Sequence, residues 1–355
     1  MRFDIDRRTL LLGTIASPFV GLGSPAQAQT SGKPSSITVM TWGGQFGDAA
    51  AMVDKVFESQ TGIKVIQDRG STPVERITKV KINEGNQIYD VVQLHDGLVP
   101  LAVKQGAYDT LDRSSPRIPN LREIPPVLVT DHWVAFIFSE IGICWNEKEV
   151  ATPPTSFADL WKPELKGRVV LPAITHSIGP YIIPIGAMAL GKPPTDEKAG
   201  IEQLKRISDL NPIWARDTDG IMGSLRSGEA VMGLLYRSQF NTLLAEGASS
   251  LRWIAPKEGA IQISWGAGIA KGCRNKEAAE TYLNVMLSPE GQAPFSKAFN
   301  YPGSNPKTID LLPEELRKRV RVDPSVFASL VTLDQEFMGN HRAAWTEQWN
   351  RIVSR

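Results

Sequence analysis

Ile37-Thr-Val-Met-Thr-Trp42 runs straight into Gly43-Gly44. The first six residues read as a buried strand, and the glycine pair breaks it. Between Asp48 and Gln60, Met52, Val53, Val56 and Phe57 recur at helical spacing, with Gly62 placed to cap the C-terminus. Ile63-Lys-Val-Ile66 predicts a second strand. Val74, Ile77 and Val80 predict a second helix ending at Gly85. Tyr89-Asp-Val-Val-Gln-Leu94 predicts a third strand, and Leu98 to Gln105 a third helix. This alternation implies an α/β fold, with a parallel sheet covered on both faces.

The pattern resumes after a Pro-rich connection over residues 107–130. Trp133 to Trp145 is apolar over more length than one short strand needs. Gly167-Arg-Val-Val-Leu171, Ile213-Trp-Ala-Arg216, Ala230-Val-Met-Gly-Leu-Leu235 and Trp265 to Ala270 read as further strands. Ile201, Leu204, Ile207 and Leu210 form a helical stripe that stops at Asn211-Pro212. From Asp334 onward, Phe337, His341, Trp345, Trp349 and Ile352 share one face of a long amphipathic helix. At roughly 150 residues per domain, the chain length predicts two domains.

Residues 1–28 stand apart. A short charged start through Arg8 precedes the apolar run Thr9 to Gly23, and Ala26-Gln27-Ala28 is an A-x-A cleavage signal. This reads as a secretory signal peptide cleaved after Ala28. Arg7-Arg8-Thr9-Leu10-Leu11 also resembles the twin-arginine export motif, so the Sec and twin-arginine routes both remain open. No Cys follows to carry a lipid anchor. The later apolar stretch Ile178 to Leu190 is interrupted by Pro and falls short of the ~20 residues that span a bilayer. The expectation is a soluble, exported chain.

The composition, 22% charged and 42% hydrophobic, excludes disordered and fibrous classes. Signal cleavage removes Arg2, Arg7, Arg8, Asp4 and Asp6 from 39 basic and 38 acidic residues, which brings the balance to zero. That gives no electrostatic case for a nucleic-acid partner. Cys144 and Cys273 cannot make a disulfide framework. They read as two free thiols, with one disulfide permitted in an oxidising compartment.

His95, His132, His176 and His341 stand in no metal-binding pattern, and no nucleophile elbow, Walker loop or dinucleotide fingerprint is present. No catalytic residue, metal or cofactor is expected. Ligand-type residues do cluster at strand ends, where open α/β sheets bind ligands. They are Trp42-Gly43-Gly44-Gln45, His95-Asp96-Gly97, Thr175-His176-Ser177, Asp217-Thr-Asp219, Tyr236-Arg237-Ser238 and Trp265. Apolar walls with sparse polar anchors are the composition of a small-molecule cleft. Thr175 and Ser177 also suit helix caps, and a helix start at His176 would suit a carboxylate or phosphonate. Asp217 and Asp219 also suit a cap on a helix starting near Gly220.

Several motifs carry a family resemblance. They are Thr41-Trp-Gly-Gly44, Tyr89-Asp-Val-Val92, Thr155-Ser-Phe-Ala-Asp-Leu-Trp-Lys-Pro-Glu-Leu-Lys-Gly167, Arg226-Ser-Gly-Glu-Ala230, Pro256-Lys-Glu-Gly259, Asn275-Lys-Glu-Ala-Ala279 and Tyr301-Pro302. The stretch from Thr155 to Gly167 is the most specific. Over residues 36–310 the chain resembles the periplasmic solute-binding proteins of ABC importers, in the spermidine/putrescine-binding branch. The resemblance implies a two-lobed type II periplasmic-binding-protein fold. Each lobe is a mostly parallel sheet flanked by helices, and crossing hinge strands join the two. Carried onto this chain, lobe 1 is 36–141 plus 264–303, and lobe 2 is 142–263 plus 304–355.

The resemblance further implies a periplasmic monomer that captures a small molecule between the lobes and delivers it to ABC permease subunits. Trp42 and Tyr301 match aromatics of the polyamine site. Tyr236 stands where those proteins place a stacking Trp, and Asp96 where they have a Tyr. Their acid after Lys-Glu-Gly is Trp265 here, and their second acidic place is Ala173-Ile-Thr-His-Ser177. Glu140, in the hinge strand, is either a ligand anchor or half of an inter-lobe ion pair. Two ligand classes follow. The family and the aromatics favour an amine, with Asp96 or Glu140 as counter-ion. Arg237, His176 and the missing acids favour a carboxylate, phosphonate or zwitterion. An exported enzyme is the alternative from a different class.

Overall fold

The computed structural model describes residues 33–322 and 324–353. The signal-peptide reading, with both export routes and the cleavage after Ala28, lies outside the described residues.

The chain opens with β1 (Ser36–Met40), α1 (Gly44–Thr61), β2 (Lys64–Asp68), α2 (Pro73–Ile82), β3 (Val91–His95) and α3 (Val99–Lys104). This is the alternation predicted from the opening stretch. Gly44 adopts φ +56 where α1 begins, a conformation that favours glycine. The Pro-rich connection holds two short 3-10 turns, Pro119–Glu123 and Pro126–Leu128. β4 (Val134–Asn146) follows, then β5 (Val169–Pro172), α4 (Ile182–Ala189), α5 (Glu197–Asp209), β6 (Ile213–Ala215), α6 (Thr218–Ser227) and β7 (Met232–Tyr236). The remainder is α7 (Arg237–Ala245), β8 (Leu251–Ile254), β9 (Ile261–Ile269), α8 (Lys276–Met286), α9 (Pro289–Phe299), α10 (Glu314–Val320), α11 (Pro324–Ser329) and α12 (Gln335–Val353). The strand expected from Trp265 begins four residues earlier, at Ile261, and β8 carried no clear signal in the sequence.

The strands form one sheet in the order β2-β1-β3-β9-β4-β7-β5-β6, with β8 added on β4. The sheet is parallel toward each edge, as the alternation implies, and its antiparallel part is confined to the crossing. The outer triplets, β2-β1-β3 and β6-β5-β7, are parallel. Between them β9 and β4 run antiparallel to their neighbours and to each other. The long apolar run Trp133 to Trp145 is accounted for by β4.

Two large cores lie on either side of this crossing. β4 contributes Val134 to Phe138 to the first and Ile141, Ile143 and Trp145 to the second. β9 contributes Ala267 and Ile269 to the first and Ile261 and Ile263 to the second. Where both strands pass between cores, the apolar run is broken by Ser139, Glu140, Gln262 and Ser264, all buried. The segment after Tyr301 returns to the first core. Ser304 Oγ donates to the Ala135 carbonyl at 2.7 Å, and Leu312, Leu316 and Val320 pack with Ala293 of α9.

The most specific sequence motif builds a corner of the second core. Ser156 caps a short turn with Asp159, and Phe157, Leu160, Trp161 and Leu165 are buried. Glu258 accepts from the Phe157 backbone N–H at 3.1 Å, so the Pro256-Lys-Glu-Gly259 motif is tied to the same corner.

Close ring-on-backbone packing holds the crossing together. Trp133 lies over Gly266 of β9, and its Nε1 donates to the Leu94 carbonyl at 3.3 Å. A Cβ on Gly266 would sit 2.2 Å from the Val134 oxygen and 2.3 Å from the Trp133 ring. Gly266→Ala should therefore destabilise the chain by about 1–3 kcal/mol, read as a lower urea midpoint.

Candidate functional site

Strand ends on the first core supply one wall. Trp42 follows β1 and meets Phe46 edge-on, with ring centroids 4.5 Å apart. Gly43 and Gly44 beside it leave open space at the start of α1. Trp265, in the middle of β9, stacks on Tyr301 at 4.7 Å with planes 25° apart. The stacking is the preferred offset type, and Tyr301 continues onto Phe299 at 5.9 Å. The Tyr301 hydroxyl has Ser238 and Gln239 of α7 within hydrogen-bonding reach.

Asp96 ties the β3 end to the crossing. Its Oδ2 accepts from Ser264 N at 2.8 Å and Ser264 Oγ at 3.0 Å, and its Oδ1 accepts from Gly97 N. Burial nevertheless outweighs these bonds and pushes its pKa up to about 7. Its neighbour His95 is half-buried. Burial, then the positive charges of Arg342 and Arg76, push it down to about 4, so it is neutral at physiological pH.

Residues of the second core face this wall. Tyr236, at the end of β7, is buried and its hydroxyl lies 3.3 Å from Ser177 Oγ. Thr175 is exposed. The expected helix start at His176 is corrected by the structure. A 3-10 turn, Gly179–Tyr181, precedes α4, which begins only at Ile182. His176 Nδ1 instead accepts from Ile178 N at 3.1 Å, and its Nε2 therefore donates to Thr218 at 3.2 Å. Asp217 caps α6 by accepting from Gly220 N at 2.8 Å.

The two charged residues of the crossing meet each other. Arg237 Nη1 lies 3.5 Å from Glu140 Oε2, and Arg237 Nη2 donates to the Arg321 carbonyl at 3.0 Å. The guanidinium also lies over the Trp253 ring at 5.6 Å. Arg237 is thus occupied within the protein. Burial raises the Glu140 pKa, and Arg237 partly offsets that.

A cavity of about 450 Å³ opens between α3, the α2 start and α12. Of the residues singled out from the sequence, His95, Gly97 and Ser177 line it. Lys104, Tyr181, Gln335 and Arg342 complete its polar lining with Glu336 and Asn340.

Sequence reasoning missed Arg76. A capping box, Thr72 with Glu75, starts α2 and fixes which face turns inward. Arg76 lies on that face beside Ile77 and Val80 and is wholly buried. Its Cζ lies 4.3 Å from the Trp42 ring centre, and Nη1 donates to the Gln93 carbonyl at 2.6 Å. The available signal was a charge four residues before Val80, on the apolar stripe.

Cys144 and Cys273 are free. Cys144 is buried in β4, and Cys273 Sγ donates to Asp90 Oδ1 at 3.2 Å. Among the described residues no cluster of His, Cys, Asp and Glu is arranged to hold a metal ion.

Comparison with known proteins places this geometry. The family model for bacterial extracellular solute-binding proteins matches residues 51–320, and the chain belongs to that family. The putrescine-binding periplasmic protein of Pseudomonas aeruginosa is 24% identical over 373 residues, covering 98% of each chain. Spermidine/putrescine-binding periplasmic protein 1 of Haemophilus influenzae is 26% identical over 311 residues, covering 84% of this chain and 82% of that one. Among solved structures, an ABC transporter protein from Clostridium perfringens superposes with a TM-score of 0.77 at 27% identity, covering 89% of this chain and 99% of that one. The fold is the two-lobed type II fold of solute-binding proteins, joined by crossing strands.

Asp96 gives the site a measurable signature. Between about pH 4 and 7 the folded chain keeps a proton on Asp96 that the unfolded chain has released, so this contribution to stability falls as pH rises. The stability difference between wild type and Asp96→Asn should shrink by up to about 1.4 kcal/mol per pH unit from about pH 5 to 7. Urea unfolding of both proteins across that range measures it. A difference independent of pH would show that Asp96 stays ionised.

Proposed function

We propose that the chain is the periplasmic receptor of an ABC importer, and that it captures a small polar organic solute bearing an amine. The observation that carries this reading is the aromatic and acidic grouping at the crossing: Trp265 stacked on Tyr301, with Asp96 held on Ser264 of the same strand. Aromatic faces attract an ammonium by about 0.5–2 kcal/mol, and a nearby carboxylate supplies the counter-charge. The putrescine and spermidine named for the two relatives support a polyamine-like cation. A carboxylate, phosphonate or zwitterion is the second reading, and it is favoured by the buried Arg76.

The two lobes divide near 141/142 on β4 and near 263/264 on β9, with residues 304–320 packed on the first. They close on the solute by bending at the crossing. The chain works as a monomer, with the ABC permease subunits as its protein partner and no nucleic acid. Binding is its chemistry, without turnover. The leader is cleaved after Ala28 on export. N-terminal sequencing of the periplasmic protein should therefore start at Gln29, and a retained Met1 would contradict it.

A thermal-shift screen of amines, amino acids and phosphonates on the mature protein tests the receptor reading. A solute at one hundred times its Kd raises stability by about 2.7 kcal/mol. Mass spectrometry should return the bound solute unchanged, and scattering should show a smaller radius of gyration. A chemically altered solute would point to an enzyme instead.

A further inference from the structure

The buried guanidinium of Arg76 is incompletely satisfied. Nη1 donates to the Gln93 carbonyl, but Nε and Nη2 have no hydrogen-bond partner. Gln93 is equally buried; its Oε1 accepts from the Thr41 hydroxyl at 2.7 Å, and its Nε2 is also without an acceptor. Asp68 is the carboxylate that acts on Arg76 through space. It is already held by Lys79 Nζ, at 2.8 and 3.1 Å. Two unpartnered nitrogens, with three N–H groups between them, are expensive on a buried cation, and proteins rarely leave them so.

The surroundings share this polarity. Lys104 and Arg342 line the cavity that Val74 and His95 border two residues from Arg76 and Gln93, against one acid, Glu336, and none of the three makes an ion pair among the described residues. His95 lines the same cavity and is acted on by both Arg342 and Arg76. The Trp42 face lies against the guanidinium and keeps water from it on that side.

We propose that Arg76, with Gln93 Nε2, is the anchor for an oxyanion on the solute, a carboxylate or phosphonate. The inference rests on the receptor reading and sharpens it: the solute is a zwitterion, with its amine at the Trp265–Tyr301–Asp96 grouping and its oxyanion at Arg76. The guanidinium fork suits two parallel hydrogen bonds to such a group. A diamine would instead set a second ammonium against an uncompensated cation.

Matched probes test this. 4-Aminobutanoate, 5-aminopentanoate, 2-aminoethylphosphonate and putrescine are titrated by calorimetry into wild type, Arg76→Met and Arg76→Lys. At least one oxyanion probe should bind wild type tighter than putrescine does, and the carboxylate and phosphonate arms identify which oxyanion fits. Arg76→Met should weaken that probe by about 30-fold or more and leave putrescine unweakened. Arg76→Lys should fall between, because it keeps the charge and loses the fork.

Thermal unfolding without solute gives an independent readout. Removing an unpaired buried charge should raise the melting temperature of Arg76→Met, whereas loss of a purely structural wedge under Trp42 would lower it. The wild-type comparison stands even if a variant does not fold. Tightest binding of putrescine, or an Arg76→Met protein that keeps full affinity for the oxyanion probe, overturns the inference and leaves the receptor intact. Binding of none of these probes, with no hit in the wider screen, overturns both.

Discussion

Two antiparallel strands, β4 and β9, serve both cores, and the rest of the structure depends on how they cross between them. A strand shared by two cores has to be apolar at each end. The crossing itself cannot be apolar without fusing the cores into one. Here it is a belt of buried polar groups. Glu140 stands opposite Gln262, and Phe138 opposite Ser264. Gln262 Nε2 donates to Ser264 Oγ at 3.2 Å, and Ser139 lies 3.3 Å from Ser238 at the start of α7. Each bond is worth only about 0.5–1.5 kcal/mol net, but an unmet partner costs more. The belt therefore fixes register and leaves the crossing with little apolar burial to lose on bending.

Asp96 links that belt to the candidate site. It is held by backbone and hydroxyl of Ser264, so a change in its charge acts directly on β9. Its raised pKa means that burial outweighs three hydrogen bonds. Under the proposed function, an incoming ammonium would supply the compensation that the protein itself leaves out.

The first half of the fold was legible because local pattern and tertiary burial mostly agree there: Val53, Phe57, Ile77 and Val80 face the core that their spacing implies, while Met52 and Val74 of the same stripes are exposed. The length of β4 was legible as an apolar run too long for one core. The antiparallel crossing was not, since strand direction depends on pairing partners far apart in sequence. Of the candidate aromatics, Trp42 and Tyr236 stand at strand ends as read from the sequence, whereas Trp265 lies in the middle of β9. The site was not legible in its charges. His176 and Asp217 carry ligand-type side chains at strand ends, yet local hydrogen bonds to Ile178 and Gly220 consume them.

Arg237 and Arg76 show why charge is the hardest part to read. Both stand near the candidate site, and a residue list cannot rank them. The fold gives Arg237 an acid, a carbonyl and an indole. That set occupies Arg237 and gives the buried Glu140 a charge partner at 3.5 Å, although both Glu140 oxygens stay without a hydrogen bond. Arg76 receives one carbonyl and an indole, with no acid. Its pKa is pushed down to about 10, chiefly by burial, so it stays charged at any physiological pH. A permanently charged group that the protein does not neutralise creates a lasting preference for anions at that place. The sign of the preference follows from the missing partner rather than from the residue present. Under the inference above, it would let this chain differ from its relatives in what the neighbouring aromatics help to hold.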